Sequence, residues 1–520
     1  MLLFAVFHDI IHSVVLSTAV AEYTYARSLL LRDPAYFMKQ IKQHPLIFGT
    51  FILTVTGLIT RLIGFFYRIY LSRLFGEEGM GIYQLLSPAL SLSFSLTAAG
   101  YQTAISKYVA ANTSKSPAER LRPLLAGVSI TLPLSFLTGA VMFLAADPIG
   151  VVFLKEARTV PMLRILSFSI PFAALHACIN GYFYGKKKAA VPAVTQLLEQ
   201  IARVGCVYLV TGRDLMQGRT PSISVAVLGL TVGEILSMLM ALLCLYVHLY
   251  YHQFSRHTEA RLSAYSQVIT HPAVIPSPAS SPTTHTPRVN NPSVCRLLPT
   301  AAVYRDLLGM VLPLTANRIV LNILQSIEAV SIPQKLLLYG YDTTTALSVY
   351  GVLTGMAMPM IFFPNALTSS VAVLLLPTIS ENHARGDRDA VLHDTLRTVK
   401  YCGLMGFSCL CCFLFLGKWM GSELFHSELA GHFIVNLGFI CPFLYLDTTL
   451  SGILQGLGMA GRIFLSNVIC LLLRLTFVFF AIPIVGMQGY LWGILVSQLA
   501  LAGLYFYYLY RFFQIRADSK

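Results

Sequence analysis

Long apolar runs constrain the fold of this chain more than any other feature of its sequence. The runs are about 20 to 28 residues long, and charged residues make up only 12% of the 520 residues, against roughly 25% in soluble domains. Within lipid, only helices and closed barrels satisfy every backbone polar group. The runs have the length of bilayer-spanning helices and lack the two-residue alternation of a barrel. The sequence therefore predicts an all-α polytopic membrane protein.

Twelve such runs form two groups of six, separated by a segment rich in Pro, Ser, Thr and His. We predict the spans Leu46–Tyr70, Met80–Val109, Leu121–Ala145, Met162–Tyr184, Ala189–Thr211, Ile223–Tyr250, Asp306–Leu324, Leu347–Val373, Thr398–Leu416, Phe433–Leu454, Ile463–Val485 and Tyr490–Tyr510. The segment between the groups cannot bury a core. The predicted organisation is an N-terminal extension (1–37), an N-lobe (38–251), a disordered cytoplasmic linker (252–302), a C-lobe (303–511) and a cytoplasmic tail (512–520).

The basic residues of the loops alternate along the chain. One set of loops carries most of them, including Lys186, Lys187 and Lys188, whereas the loops between carry few, among them Arg73 and Arg158. The positive-inside rule assigns the basic set to the cytoplasm, so both termini are predicted there. The net charge of +14 is then explained by membrane orientation, and we expect no nucleic-acid partner.

The two groups of six are related by an internal repeat. Residues separated by 271 positions are identical at five places, namely Pro171 and Pro442, Phe172 and Phe443, Gly181 and Gly452, Gly185 and Gly456, and Arg203 and Arg474. At a separation of 257, Arg61 meets Arg318. Because six is an even number of spans, the repeat is parallel, about an axis along the membrane normal. Such pseudo-symmetric lobes enclose a cavity and transport by alternating access, which favours a transporter.

Short motifs in the first two spans resemble a known family. They are Thr60-Arg61-Leu62-Ile63-Gly64-Phe65, Leu74-Phe75-Gly76-Glu77-Glu78-Gly79, Gly81-Ile82-Tyr83 and Ala104-Ile105-Ser106-Lys107. They are similar to the start of the stage V sporulation protein B group of polysaccharide flippases. That group belongs to the multidrug/oligosaccharidyl-lipid/polysaccharide (MOP) exporter superfamily, together with lipid II flippases and multidrug and toxin extruders (MATE). The resemblance runs from Met38 to the last helix, and residues 1–37 have no counterpart in it.

This resemblance implies a V-shaped, MATE-like fold in the bacterial cytoplasmic membrane. It further implies movement of an undecaprenyl-diphosphate-linked saccharide, either the peptidoglycan precursor lipid II or a polysaccharide repeat unit, to the outer leaflet. The saccharide and a role in sporulation or in vegetative wall synthesis both stay open. The expected partners are this substrate, membrane lipids and cell-wall synthesis enzymes, and we expect a monomer.

Charged residues within spans are costly and usually face a cavity or a partner. Arg61, Arg68 and Arg318 are the predicted substrate-binding residues, because a guanidinium binds phosphate oxygens in a bidentate manner. Lipid II flippases use cavity arginines on the first helix, and the resemblance carries this role to Arg61. Arg68 is displaced by one position from the second arginine of that pattern.

Other charged residues within spans are candidates for ion coupling or for structural pairs. They are Glu199, Arg203, Glu234, Asp447 and Arg474. Glu199 lies four residues before Arg203, where it can neutralise the arginine. Glu328, near the end of its predicted span, is interpreted as interfacial. We expect no cofactor and no metal site, and coupling to the membrane potential, H⁺ or Na⁺.

Three further functions compete with the flippase. The first is a cation-coupled multidrug exporter of the same superfamily, although arginines in the leading helix of each lobe fit an anionic substrate better. The others are a membrane glycosyltransferase and a non-transporting scaffold of cell-wall synthesis. The outside loops are short for a catalytic domain, so we predict that the chain is not an enzyme.

Overall fold

The computed structural model describes residues 45–112, 117–270 and 299–514. Within these ranges the chain is helical and contains no strand. The first half comprises α1 (Pro45–Gln84), α2 (Ser87–Phe94), α3 (Gly100–Ala111), α4 (Pro117–Leu144), α5 (Thr159–Gly185), α6 (Ala190–Met216) and α7 (Ser224–Thr270). The second comprises α8 (Ala301–Tyr339), α9 (Thr343–Gly351), α10 (Met358–Ala384), α11 (Arg388–Phe425), α12 (Glu428–Gly438), α13 (Cys441–Gly456), α14 (Ala460–Thr476), α15 (Ile482–Val485) and α16 (Met487–Gln514).

Each of the twelve predicted runs lies in helical chain. Among the described residues, 8 helices are long and apolar enough to cross a membrane, or 9 if the bent pair α12–α13 is one span. The other three predicted runs lie in α1, in α2–α3 and in α6. Two of these carry central charges, Arg61 and Arg68 in α1 and Glu199 and Arg203 in α6. The all-helical polytopic fold is confirmed, and the number twelve stays a prediction.

Proline positions explain where the predicted spans break. Pro88 and Pro442 stand in the first turn of α2 and α13, where the missing N–H would have had no helical partner. At Pro442 the preceding α12 meets α13 at an angle of 57°. Pro171, its counterpart in the repeat, lies inside the continuous α5. The two lobes therefore differ at this position although their sequences match.

The helix predicted to end at Tyr250 continues to Thr270. Residues 252–270, assigned from composition to the disordered linker, are thus helical, which corrects that part of the prediction. The stretch from 252 to 270 contains neither Pro nor Gly, the residues that most disfavour a helix. The rest of the predicted linker up to residue 298, the extension 1–37 and the end of the tail lie outside the described residues.

Contacts between the lobes are reciprocal. The first helix of the N-lobe, α1, packs on α9 and α10 of the C-lobe, and the first helix of the C-lobe, α8, packs on α2 and α3 of the N-lobe. Under the repeat, α1 corresponds to α8, and α2–α3 corresponds to α9–α10. A two-fold axis between equivalent elements produces this pairing, so the contacts agree with the parallel repeat.

The buried apolar core joins the lobes more extensively at one end than at the other. One large cluster unites Leu71 and Met80 of the N-lobe with Leu347, Tyr350 and Phe425 of the C-lobe. At the opposite end there are two separate clusters. One surrounds Ile105 and Tyr182 and includes the start of α8, and the other surrounds Ile379 and Leu454 of the C-lobe. The joined end carries the loops predicted to be extracytoplasmic and is called the outer end; the other is the inner end.

Two glycines permit a close backbone approach between the lobes at the outer end. A Cβ added to Gly81 would lie 2.1 Å from the Leu347 carbonyl oxygen, and one added to Gly351 would lie 2.3 Å from the Gly81 nitrogen. Gly81→Ala is therefore expected to destabilise the protein by about 1–3 kcal/mol through overpacking. Thermal unfolding in detergent tests this, with Gly64→Ala as the control, because a Cβ at Gly64 meets nothing within 4 Å. Equal midpoints for the two variants would contradict the packing argument.

Candidate functional site

Arg61 lies at the boundary between the lobes. Its side chain is exposed, and its Nη1 donates a hydrogen bond of 3.1 Å to Ser369 Oγ on α10 of the opposite lobe. Its repeat counterpart Arg318 is also exposed and is carried by α8, the helix that packs on the N-lobe. Both arginines therefore stand, exposed, on the helices that form the lobe boundary.

Arg68 has different surroundings, although it lies on nearly the same face of α1 as Arg61. It is half-buried and lies within electrostatic reach of Tyr83, Arg203 and Tyr67. These neighbours belong to the N-lobe. The structure thus separates Arg68 from Arg61 and places it next to the second predicted group, and its role in substrate binding stays a prediction.

A cluster of three potential cation ligands occupies the interior of the N-lobe. His176 on α5, Glu199 on α6 and Glu234 on α7 place their ligand atoms within 4.8 Å of one another. His176 Nδ1 is 3.6 Å from Glu234 Oε2, an oxygen with no hydrogen-bond donor among the described residues. Arg203 Nη2 pairs with Glu199 Oε1 at 2.5 Å, as the i, i+4 spacing predicted. Arg203 therefore pairs with one of the two carboxylates of the cluster.

Polar neighbours fix the His176 ring. Its Nε2 is 2.7 Å from Asn180 Nδ2 and 2.8 Å from Ser237 Oγ. Thr195 Oγ1 donates to Asn180 Oδ1 at 3.4 Å, and Ser237 donates to the Thr195 carbonyl oxygen at 3.1 Å. Because the amide nitrogen of Asn180 donates to Nε2, the proton of the neutral ring lies on Nδ1, facing Glu234. His176 is not among the residues predicted from the sequence, because the side chains of its cluster come from three helices.

The equivalent arginine of the C-lobe has a different carboxylate. Arg474 Nη2 donates to Glu328 Oε2 at 2.7 Å, and Arg474 Nε is 2.5 Å from Glu328 Oε1. The Tyr490 hydroxyl donates to Glu328 Oε1 at 2.7 Å. The side chain of Glu328 is only 6% exposed. The interfacial interpretation of Glu328 was therefore wrong, because α8 continues to Tyr339 and places this residue well inside the helix.

Asp447 occupies the C-lobe position that corresponds to His176, since the two are 271 residues apart. It is 4% exposed, and neither carboxylate oxygen has a hydrogen-bond partner in the part of the chain that the structure describes. Burying a carboxylate without a hydrogen-bond partner is costly. Both lobes thus bury a titratable side chain and an arginine at repeat-equivalent positions, with different partners.

These features define a two-lobed polytopic membrane protein with cationic groups at the lobe boundary. Comparison with known proteins shows which families this chain is similar to. Residues 46–270 match the family model described as polysaccharide biosynthesis protein. Stage V sporulation protein B of Bacillus subtilis is 26% identical over 85% of this chain and 79% of its own length. The lipid II flippase MurJ of the same organism is 22% identical over 82% of this chain and 75% of its own length.

Solved structures share the fold. An inward-facing multidrug resistance MATE family transporter of the MOP superfamily matches with a TM-score of 0.62 over 89% of this chain and 98% of its own, at 13% identity. An inward closed lipid II flippase MurJ matches with a TM-score of 0.62 over 88% of this chain and 87% of its own, at 14% identity. The predicted resemblance is confirmed: the chain has the fold of these MOP superfamily proteins and is similar in sequence to stage V sporulation protein B. It is a multi-pass protein of the bacterial cytoplasmic membrane.

Proposed function

We propose that this protein is a flippase that moves an undecaprenyl-diphosphate-linked saccharide across the cytoplasmic membrane by alternating access. The observation that carries the proposal is the exposed Arg61, held by Ser369 at the lobe boundary, together with its repeat counterpart Arg318. A lipid diphosphate is anionic, and arginine is the side chain best suited to bind it in a bidentate manner. The relatives with flippase and sporulation names support transport rather than catalysis.

The arrangement of the core supports alternating access. The lobes share one large core at the outer end, whereas at the inner end most of the C-lobe packs in a cluster of its own and only the start of α8 joins the N-lobe cluster. We infer that the cavity between the lobes opens toward the cytoplasm in this state. Substrate enters from the inner leaflet, its diphosphate meets Arg61 and Arg318, and release requires the outer contacts to separate while the inner ends approach.

Translocation of a fluorescent undecaprenyl-diphosphate saccharide by the protein in proteoliposomes tests the proposal directly. Protein-dependent movement of the lipid to the opposite leaflet is the expected result. No movement, together with export of organic cations, would replace the flippase by the cation-coupled multidrug exporter. The carboxylates of the N-lobe cluster are the observation that favours that alternative.

We propose that the N-lobe cluster couples transport to an ion gradient. Glu199 and Arg203 neutralise each other, so Glu234 with His176 takes one exchangeable H⁺ or Na⁺. Replacing Glu234 by Gln removes that charge, and we expect flipping to lose its dependence on an imposed gradient. Asp147→Asn is the control, because this residue is 61% exposed and pairs with Arg164. Gradient dependence retained in Glu234→Gln would move the coupling site to Asp447 or elsewhere.

A further inference from the structure

The motif Leu74-Phe75-Gly76-Glu77-Glu78-Gly79 has no part in the functions described so far. It contains the break in α1, where Gly76 has φ 68° and ψ −172°, a conformation that favours glycine. Two adjacent glutamates follow the break. Their side chains have partners on opposite sides of the lobe boundary.

Glu78 is fixed to its own lobe. Its Oε1 lies 2.8 Å from Arg158 Nη1 in the loop between α4 and α5. Arg158 also binds Glu156 through Nε at 2.7 Å and Nη2 at 3.0 Å, and its backbone N–H donates to Glu156 Oε1 at 3.1 Å. Burial opposes ionisation of Glu156, but these bonds outweigh it and hold its pKa below the ordinary value. The anchor on the N-lobe side is therefore a charged network.

Glu77 and Arg73 instead reach the C-lobe. The Ser427 hydroxyl donates to Glu77 Oε1, while Ser427 Oγ caps α12 by accepting from the Ala430 N–H at 3.1 Å. Arg73 Nε donates to the Leu424 carbonyl oxygen at 2.8 Å, and Nη2 donates to that of Glu423 at 2.5 Å. Both carbonyls lie in the last turn of α11, where helix carbonyls lack helical partners and the dipole is negative.

We propose that Arg73 and Glu77 form an outer clasp, a reversible latch that holds the lobes together at the outer end in the inward-open state. The clasp contacts the junction of α11 and α12 through polar groups. Water can replace the hydrogen bonds of these groups when the lobes separate at this end. Glu78, the adjacent carboxylate, pairs with Arg158 inside the N-lobe and is not part of the clasp. The close contact of Gly81 with Gly351 lies a few residues along the chain and separates with it. This inference rests on the proposed alternating access.

Hydrogen exchange in nanodiscs, without substrate, tests the clasp separately from transport. The variants are Arg73→Ala, Glu77→Ala and their combination, with Arg73→Lys as the mildest change because it keeps the charge but cannot bind two carbonyls in a fixed geometry. Glu78→Ala is the matched control, since it removes the adjacent carboxylate but breaks only contacts within the N-lobe.

Loss of a hydrogen bond to a charged group shifts an equilibrium about tenfold or more. In the clasp variants we expect backbone amide hydrogens to exchange about tenfold faster at residues 345–352 and 420–431. We also expect slower exchange at the inner ends of α3 and α10, which approach each other in the outward-open state. Glu78→Ala should not produce these opposite changes. Faster exchange at 420–431 alone, faster exchange throughout, or no change would each overturn the proposal. A failure to flip lipid with a normal exchange pattern would contradict only the proposed substrate.

Discussion

Arg61→Ala is expected to abolish flipping of a lipid-linked saccharide while the protein stays folded. Among the described residues, the Arg61 side chain makes one hydrogen bond, to Ser369, so its loss removes little that holds the fold together. Its guanidinium supplies two charge-assisted hydrogen bonds to a diphosphate, worth about 3 kcal/mol together, or about 100-fold in binding. The measurement is the initial rate of leaflet exchange in proteoliposomes at low substrate concentration.

Three control variants separate the possible causes of that loss. Arg219→Ala removes a positive charge from an exposed loop position and should transport normally. Ser369→Ala removes the contact across the lobes but keeps the guanidinium, and most activity should remain. Arg61→Lys keeps the charge without the bidentate geometry, so its flipping rate should lie between those of the wild-type protein and Arg61→Ala. Normal flipping by Arg61→Ala would remove this arginine from the binding site.

Substitution of Arg318 tests the proposed headgroup site independently of Arg61. If the repeat places Arg61 and Arg318 on two walls of one cavity, each alanine variant should weaken binding of the anionic headgroup, and the double variant should be inactive. An effect of Arg61 alone would restrict diphosphate binding to the N-lobe.

The spans and the repeat could be predicted because both depend on local sequence. Apolar runs identify helices that must cross lipid, and the matching Pro, Gly and Arg positions identify equivalent helices. The bend at Pro442 and its absence at Pro171 could not be predicted, because the same residue can stand in a first turn or inside a helix. The prediction of disorder for residues 252–270 was wrong for another reason. It rested on composition, whereas these residues continue the helix α7.

Charge partners could be predicted only where they lie on one helix. The spacing of Glu199 and Arg203 indicated their ion pair, but Glu328 and Arg474 are 146 residues apart and meet only through packing of α8 on α14. His176 and Asp447 gave one signal that was available from the sequence: they occupy equivalent repeat positions, at which both lobes bury a titratable side chain. The outer clasp depends on contacts between lobes and has no such signal.

Glu328→Ala is expected to destabilise the protein by about 3–5 kcal/mol, because it leaves Arg474 buried without its carboxylate partner. The Glu328 side chain is 6% exposed and that of Arg474 is 19% exposed, so water cannot fully replace the lost charge. Thermal unfolding in detergent measures the change. Glu381→Ala is the matched control: its Arg385 partner is equally close, at 2.5 Å, but the two side chains are 62% and 69% exposed. Such exposed pairs contribute at most about 1 kcal/mol.

The double variant Glu328→Leu with Arg474→Met decides what the pair does. Replacing a buried ion pair by apolar side chains of similar size is often neutral for stability, so the double variant should recover most of the stability lost in Glu328→Ala. If it also flips lipid normally, the pair is structural and coupling belongs to the N-lobe. If it is stable but inactive, the pair takes part in the transport cycle. A Glu328→Ala variant as stable as wild type would contradict the buried pair itself.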